Sequence, residues 1–279
     1  MQPDFTSITE MPGSGLTPEQ WTRMHHRYAL ACNLAQDRRV LEVACGAGVA
    51  LPSLARRAAA VVGGDYTGAV LAAAQRGVQP PHHNSTLTGT DIRPDAPTAL
   101  AQFDAQCLPF AANSFDLLLL FEAIYYLDAP AHFLREARRV LAPGGHLLIG
   151  TENPAWPDFI PGKFSTRYWH VPELYGMLRA QGFPTIAGYG AFPVTTYSAR
   201  QQQLARLRRF LVRWGLVPKH PRVRRLLQRV GYGTLYPLPR RLDEMQLNEM
   251  QLDRAAITPL APHSLHPEYK VVYLHATLD

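Results

Sequence analysis

Cysteine is scarce: Cys32, Cys45 and Cys107 are the three in 279 residues. Thiols so few and so scattered build neither a disulfide framework nor a metal knuckle, so no metal is expected. A reducing, cytoplasmic setting is the expectation that follows. Long hydrophobic runs are missing too. Stretches such as residues 117–121 fall far short of the roughly 20 apolar residues that cross a bilayer. Residues 1–15 show no basic region followed by an apolar one, so no secretory leader is expected there. Internal repeats and low-complexity tracts are absent. Acid is missing from one region: residues 199–230 hold many arginines and neither Asp nor Glu. The formal net charge is +6, a weak pointer to an anionic partner.

What is present begins with Val40-Leu41-Glu42-Val43-Ala44-Cys45-Gly46-Ala47-Gly48. Apolar Val40, Leu41 and Val43 make a buried strand, Gly46 and Gly48 free the backbone for a turn, and residues 49–60 carry good helix formers. Val61-Val62-Gly63-Gly64-Asp65 is a second strand ending in an acid. Strand, Gly turn, helix and acid-tipped strand form a βαβ nucleotide cradle, the acid standing where ribose hydroxyls bind. A dinucleotide site needs a third Gly, and Leu51 occupies that position. A P-loop needs Gly-Lys-Ser/Thr, and none follows the turn. Glu42 instead stands just before the turn, where a carboxylate repels phosphate and attracts an ammonium or sulfonium. The ligand read from these residues carries a ribose and a positive charge, and no phosphate.

The remaining pattern alternates strands and helices. Thr17, Pro18 and Gln20 mark a helix start that runs through Trp21, Met24, Tyr28 and Leu30. Further helices are read at residues 67–76, 131–141 and 172–181, the last closed by Gly182. Strands are read at residues 40–44, 60–65, 100–103, 115–121, 146–150, 185–189 and 270–277. Such alternation means an α/β fold with a parallel sheet. Residues 198–262 break the rhythm, with no clear strand. Leu204, Leu207, Leu211 and Trp214 make one amphipathic stripe, and Val223, Leu226, Leu227 and Val230 another. The expected division is an N-terminal helical lid (1–35), an α/β core (36–197), a helical insertion (198–265) and a final core strand (266–279).

These motifs together resemble the class I S-adenosylmethionine (SAM)-dependent methyltransferases. The Gly turn resembles that family's first motif, and Gly64-Asp65 its ribose acid. Asp104-Ala105-Gln106-Cys107-Leu108-Pro109-Phe110 followed by Asn113-Ser114-Phe115-Asp116 resembles the adenine loop and fourth strand. Residues 135–145 resemble the helix leading into strand five. The match runs in order over residues 40–150, with Ala44 replacing the usual first Gly of the turn. The resemblance implies a doubly wound, mostly parallel, seven-stranded Rossmann-like sheet. It implies that Glu42 anchors the methionine ammonium through the turn, via water, and that Ala44, Cys45, Gly46 and Gly48 cradle the methionine part. Asp65 would take both ribose hydroxyls, and Tyr66 would stack on adenine. Asp104 and the Ala105 N–H would read the adenine edge, and the Phe121 carbonyl would hold the ammonium. Tyr28 or Arg23 would reach the methionine carboxylate. Taken singly, Asp65 and Asp104 read equally well as ordinary acids at strand ends.

A sulfonium is already a good leaving group, so alignment and a dry site are the protein's main tasks. A base is needed only for a protonated acceptor. His25, His26, His170 and Tyr126 are the candidates for it. Glu122, Tyr125, Tyr126, Trp156, Tyr168 and His170 are the expected substrate-pocket residues. Adjacent His25 and His26 point different ways on a helix and make a poor metal pair. The expected activity is methyl transfer to oxygen or nitrogen of a small molecule: a secondary metabolite, or an envelope sugar or lipid precursor. One alternative is a nucleic-acid methyltransferase. Amino-directed enzymes of that kind carry Asn/Asp-Pro-Pro-aromatic after strand four, and Phe121-Glu122-Ala123-Ile124 stands there instead, so nucleic acid is not expected. The other alternative is SAM binding without methyl transfer. The basic insertion reads as a pocket cap, a dimer interface or a peripheral membrane contact. The oligomeric state is left as monomer or homodimer.

Overall fold

A computed structural model describes residues 5–78, 96–194, 235–242 and 257–279. The two amphipathic stripes of the insertion lie outside these residues. The chain enters through a 3-10 turn at Phe5–Ser7 and a short strand β1 (Gly15–Leu16), then helix α1 (Pro18–Leu34). Thr17 caps α1 as its sequence requires. Its hydroxyl accepts from the Gln20 N–H (3.2 Å), and the Gln20 side chain accepts from the Thr17 N–H (3.0 Å). The core follows as β2 (Arg39–Val43), α2 (Leu51–Ala55), β3 (Ala60–Asp65), α3 (Gly68–Val78), β4 (Thr98–Gln102) and β5 (Phe115–Phe121). A 3-10 turn (Ile124–Tyr126), α4 (Pro130–Val140), β6 (Leu141–Glu152), α5 (Val171–Ala180) and β7 (Thr185–Pro193) come next. The described chain closes with β8 (Tyr236–Pro237), β9 (Ile257–Pro259) and β10 (Tyr269–Thr277).

The main sheet runs β4-β3-β2-β5-β6-β10-β7-β9. The first five strands pair in parallel, and β10 runs antiparallel between β6 and β7. β5 shows why the sheet is doubly wound. Leu117, Leu119 and Phe121 pack with α1 and α2, while Leu118 and Leu120 pack with α4 and α5. Both faces are covered, so the strand reads as an unbroken apolar run instead of an alternation.

Three details depart from the sequence reading. First, the seven expected strands are present, and β9 adds an eighth at the edge beside β7. β8 pairs with β1 as a separate two-stranded ribbon. Both fall in the region read as strandless, because two- and three-residue strands containing Pro237 and Pro259 carry no period-2 signal. Second, α2 is one and a half turns long, not the full run of residues 49–60. Residues 56–59 turn back so that Ala60 can start β3. Third, β6 begins at Leu141 and not after the Pro143-Gly144-Gly145 break. The pairing passes from Phe115↔Leu141 to Leu117↔His146, so this run is a bulge within the strand.

Gly64, on β3 under the turn, tests the packing. A Cβ there would lie 2.0 Å from Cε1 of Phe103, whose ring is itself held edge-on by Phe110 (5.4 Å). Gly64→Ala is expected to cost about 2 kcal/mol by overpacking, measured as a shifted urea midpoint at constant slope.

Candidate active site

The parallel half of the sheet puts the ends of β2, β3, β4 and β5 along one edge, where crevices of doubly wound sheets lie. At that edge β2 turns sharply. Ala44 (φ 56°) and Gly46 (φ 57°) both adopt left-handed backbone. Gly46 takes this without penalty, while Ala44 bears roughly 1–2 kcal/mol of strain for its methyl group. The turn is tied to β3: the Cys45 N–H donates to the Gly64 carbonyl (2.9 Å) and the Gly46 N–H to Asp65 Oδ2 (3.0 Å). Asp65 Oδ1 accepts from the Thr67 N–H (2.9 Å). The Asp65 carboxylate, with about four lone-pair sites, thus keeps acceptor capacity for a further donor. Burial raises its pKa above the usual aspartate range, and the backbone donors pull it back.

The turn opens onto a cavity of about 470 Å³. Fourteen sequence-predicted residues line it: Arg23, Tyr28, Ala44, Cys45, Gly46, Asp65, Tyr66, Asp104, Ala105, Phe121, Glu122, Tyr125, Tyr126 and Tyr168. Glu42 stands just behind the wall, 2% exposed. Its Oε1 accepts from the Tyr28 hydroxyl (2.6 Å), and its Oε2 is buried with no hydrogen-bond partner. Burial raises the Glu42 pKa to about 7; the Tyr28 hydroxyl and Arg27 oppose the rise, and Asp65 adds to it. Gly48 (φ 64°) shapes the same turn but does not reach the cavity.

The histidine candidates are corrected by their surroundings. His25 and His26 are 0% and 5% exposed and sit in the packing of α1, away from the cavity. His25 Nδ1 meets the Trp21 carbonyl (2.9 Å), and His26 Nδ1 meets the Tyr273 hydroxyl (3.1 Å). Burial lowers both pKa values, that of His26 to about 4, so both are neutral at pH 7. His170 is the N-cap residue of α5, its N–H donating to Glu173 (2.9 Å), and it too lies off the cavity. Trp156 also misses it, lying beneath Lys270, whose Nζ is 5.5 Å from the ring centre. Of the four proposed bases only Tyr126 faces the cavity, and burial raises its pKa, which keeps its hydroxyl protonated at neutral pH.

Several lining residues escaped the sequence reading. Arg27 follows Arg23 by four residues on one face of α1, a spacing that signals a shared target. Arg23 Nη1 donates to Glu152 (2.9 Å) and Nη2 to Glu19 (2.6 Å); Arg27 donates to Glu10 (3.2 Å). Glu152 is a strand-end acid on β6, comparable to Asp65 on β3, hidden because β6 outruns its expected end at residue 150. Phe5, Ile8, Thr9 and Glu10 roof the cavity from the N-terminal turn, where no periodicity announces them. Phe5 touches Tyr126 (5.4 Å) and Tyr66 (6.2 Å).

The opposite wall is a shelf of tyrosines. Tyr125 and Tyr168 stack at 4.3 Å, Tyr126 meets Tyr125 at 4.6 Å, and Phe159 closes edge-on against Tyr168. Thr166 holds this loop in place, its N–H (2.8 Å) and hydroxyl (2.9 Å) both donating to the Tyr125 carbonyl. Among the described residues no group of three or more metal-ligating side chains occurs, and no helix is long and apolar enough to cross a membrane.

Comparison with known proteins agrees with this geometry. Residues 41–149 match the family described as a methyltransferase domain. A Mycolicibacterium smegmatis protein described as a probable S-adenosylmethionine-dependent methyltransferase is 32% identical over 186 residues, 64% of this chain and 65% of that protein. A phthiotriol/phenolphthiotriol dimycocerosates methyltransferase of Mycobacterium ulcerans is 37% identical over 134 residues, 47% of this chain and 44% of that protein. The chain thus spans less than two thirds of the length of either relative. A SAM-dependent methyltransferase structure from Thermotoga maritima superposes with a TM-score of 0.52 at 17% identity, over 94% of each chain, which shows a shared fold.

Proposed function

We propose that this chain, whose residues 41–149 belong to the class I SAM-dependent methyltransferase family, transfers a methyl group from SAM to an oxygen or nitrogen atom of a small molecule. The observation that carries the reading is the charge of the cavity. Its ionisable lining comprises Glu10, Asp65, Asp104, Glu122, Asp128 and Glu152 against Arg23 and Arg27. A chain of net charge +6 has built an acidic cavity. Such a lining repels phosphate and suits a sulfonium. It also weighs against a nucleic-acid strand as the substrate, which would bring phosphates to that edge.

The residues present fit SAM. The partnerless Glu42 Oε2 is a buried acceptor suited to the methionine ammonium, a group this chain would otherwise leave unsatisfied at a cost of about 1–3 kcal/mol. Asp65 would hold the ribose hydroxyls with the lone pairs its backbone donors leave. Tyr66 and Phe103 would flank the adenine, and Asp104 and the Ala105 N–H would read its edge. Asp104 Oδ1 already accepts from the Gln106 N–H (2.8 Å), which fixes the carboxylate's direction. Arg23 and Tyr28, with Arg27, stand where a carboxylate would be met from α1. When bound, SAM supplies an electrophilic methyl group on a sulfur that leaves as a neutral thioether. The chain's own part is alignment of the acceptor along that bond and exclusion of water by Phe5, Ile8 and the tyrosine shelf.

The acceptor half of the cavity is walled by Phe5, Tyr125, Tyr126, Leu127, Ile160 and Tyr168. That wall suits an apolar or aromatic body bearing one polar atom, in keeping with a metabolite or lipid precursor. The Mycobacterium ulcerans relative, named for a lipid substrate, supports that direction. Mass spectrometry tests the reading: SAM incubated with the protein and an acceptor library should yield S-adenosylhomocysteine and a product 14 mass units heavier. SAM that binds without forming S-adenosylhomocysteine would favour chemistry other than methyl transfer.

A further inference from the structure

The cavity's two arginines are ion-paired to carboxylates other than Glu122. Arg23 is paired with Glu152 and Glu19, and Arg27 with Glu10. Among the described residues this leaves the Glu122 carboxylate without an ion pair, and its side-chain hydrogen bond there comes from the Tyr125 hydroxyl to Oε2 (3.2 Å). The sheet order β2-β5-β6 fixes where it stands. Glu122 directly follows β5, so it lies between the Gly turn after β2 and Glu152 at the end of β6. Its N–H donates to the Gly150 carbonyl (2.8 Å) on β6, and its φ is 51°, a left-handed conformation rare for a glutamate. A backbone held in that state costs about 1–3 kcal/mol and persists where surroundings impose it, often at active sites. Glu122 lines the cavity between the turn after β2 and the tyrosine shelf.

We propose that Glu122 is the catalytic base and that the acceptor is an aromatic hydroxyl stacked among Tyr125, Tyr126 and Tyr168, an inference that rests on the SAM-dependent transfer above. The acceptor's O–H bond breaks toward Glu122 as its oxygen forms the bond to the methyl carbon. The S–CH3 electron pair stays on sulfur, and Glu122, now a neutral acid, returns the proton to water after product leaves. Atoms and charge balance with no further reactant. Glu122 also has the right basicity. Burial and the neighbouring Glu152 raise its pKa to about 7, against the pull of Arg27, Arg23 and Tyr125. The groups facing it from packed elements are Arg23 and Arg27 on α1, Glu152 on β6, Tyr273 on β10, and Tyr125, Tyr126 and Tyr168 on the shelf. The tyrosines remain neutral at pH 7, so they leave the acid limb of the profile to Glu122.

The test uses two phenols on the full chain. 4-Methylphenol arrives neutral and needs a base; 4-nitrophenol is acidic and arrives as its anion at mildly alkaline pH. Glu122→Gln should lose at least about 100-fold in kcat/KM on 4-methylphenol and less than about tenfold on ionised 4-nitrophenol. Calorimetric SAM affinity of the variant should stay within about threefold of the wild type, which separates this proposal from the cofactor reading. A readout independent of turnover is the colour of 4-nitrophenol bound beside S-adenosylhomocysteine. Wild type should hold it as the neutral phenol at a pH where Glu122→Gln holds the yellow anion. Tyr125→Phe, which removes the hydroxyl donor to Glu122, should move the acid limb of the 4-methylphenol profile upward. Equal losses on both phenols, an unmoved limb, or SAM binding with no phenol methylated would overturn the base and acceptor assignment and leave the cofactor reading standing. Failure of the wild type to bind SAM would overturn both.

Discussion

Asp65→Ala is expected to weaken SAM binding by at least about 100-fold in a calorimetric titration. Two ribose hydroxyls donating to a carboxylate are charge-assisted bonds, each worth about 1.5–3 kcal/mol, and alanine removes both. The loss has a second source. Asp65 also accepts the Gly46 N–H (3.0 Å) and the Thr67 N–H (2.9 Å), so its removal frees the turn that shapes the methionine end of the site. Asp65→Asn separates the two: it keeps one acceptor oxygen for the turn and loses the charge, so its affinity should fall between those of wild type and Asp65→Ala. Unchanged affinity in Asp65→Ala would remove the ribose assignment and with it the orientation given to the cofactor.

Glu42→Gln should give a more stable protein that binds its cofactor poorly. Glu42 is 2% exposed, and burial raises its pKa from 4.5 to about 7. A carboxylate whose folded pKa lies above its unfolded value contributes stability that is complete below about pH 4.5. That contribution is lost as pH rises through about 7. The shift corresponds to about 3 kcal/mol at pH 8. Glutamine keeps the Tyr28 hydroxyl bond and carries no charge, so it escapes this penalty. Glu42→Gln should therefore melt roughly 6–10 °C above wild type at pH 8, with the difference closing near pH 4.5. The comparison must be between variants. His26 and His275 have pKa values depressed from 6.5 to about 4, and their linkage runs the opposite way over the same range. The pH profile of the wild type alone therefore mixes opposing contributions, and the difference between variants isolates that of Glu42. Binding shows the other half of the trade. An ammonium recruits the ionised form of Glu42, so wild-type SAM affinity should fall about tenfold per unit below pH 7. In Glu42→Gln it should be weak and insensitive to pH in that range. A variant neither stabilised at pH 8 nor impaired in binding would remove Glu42 from the site.

The half of the cavity proposed for the cofactor was legible in the sequence because its chemistry is local. Glu42, the Gly turn and Asp65 fall within 24 consecutive residues, and strand-turn-helix periodicity alone places the acid at the strand tip. β5 was legible for the same reason, its buried run being unbroken. The acceptor half assembles from residues 5–10, α1, the ends of β5 and β6, and the loop at residues 160–168, and no spacing rule joins those segments. His25, His26 and His170 drew attention by residue type, yet burial in α1 packing and the N-cap of α5 decide their roles, and neither is visible in composition. Glu122 reads from the sequence as a pocket residue, and the base role proposed for it is hidden there because the rise in its pKa comes from burial and from Glu152, thirty residues away in the chain. β8 and β9 were missed because edge pairings of two or three residues are set by the partner strand. Ala44 is the instructive departure from the family's glycine: it keeps the left-handed turn and bears the strain of doing so.

A crystal structure with S-adenosylhomocysteine bound tests the central claim most directly. The ribose hydroxyls should lie within hydrogen-bond distance of Asp65, the ammonium should face Glu42, and the sulfur should point toward the space between Glu122 and the tyrosine shelf. Density for the ligand outside this cavity, or inside it with the ribose away from Asp65, would contradict the claim.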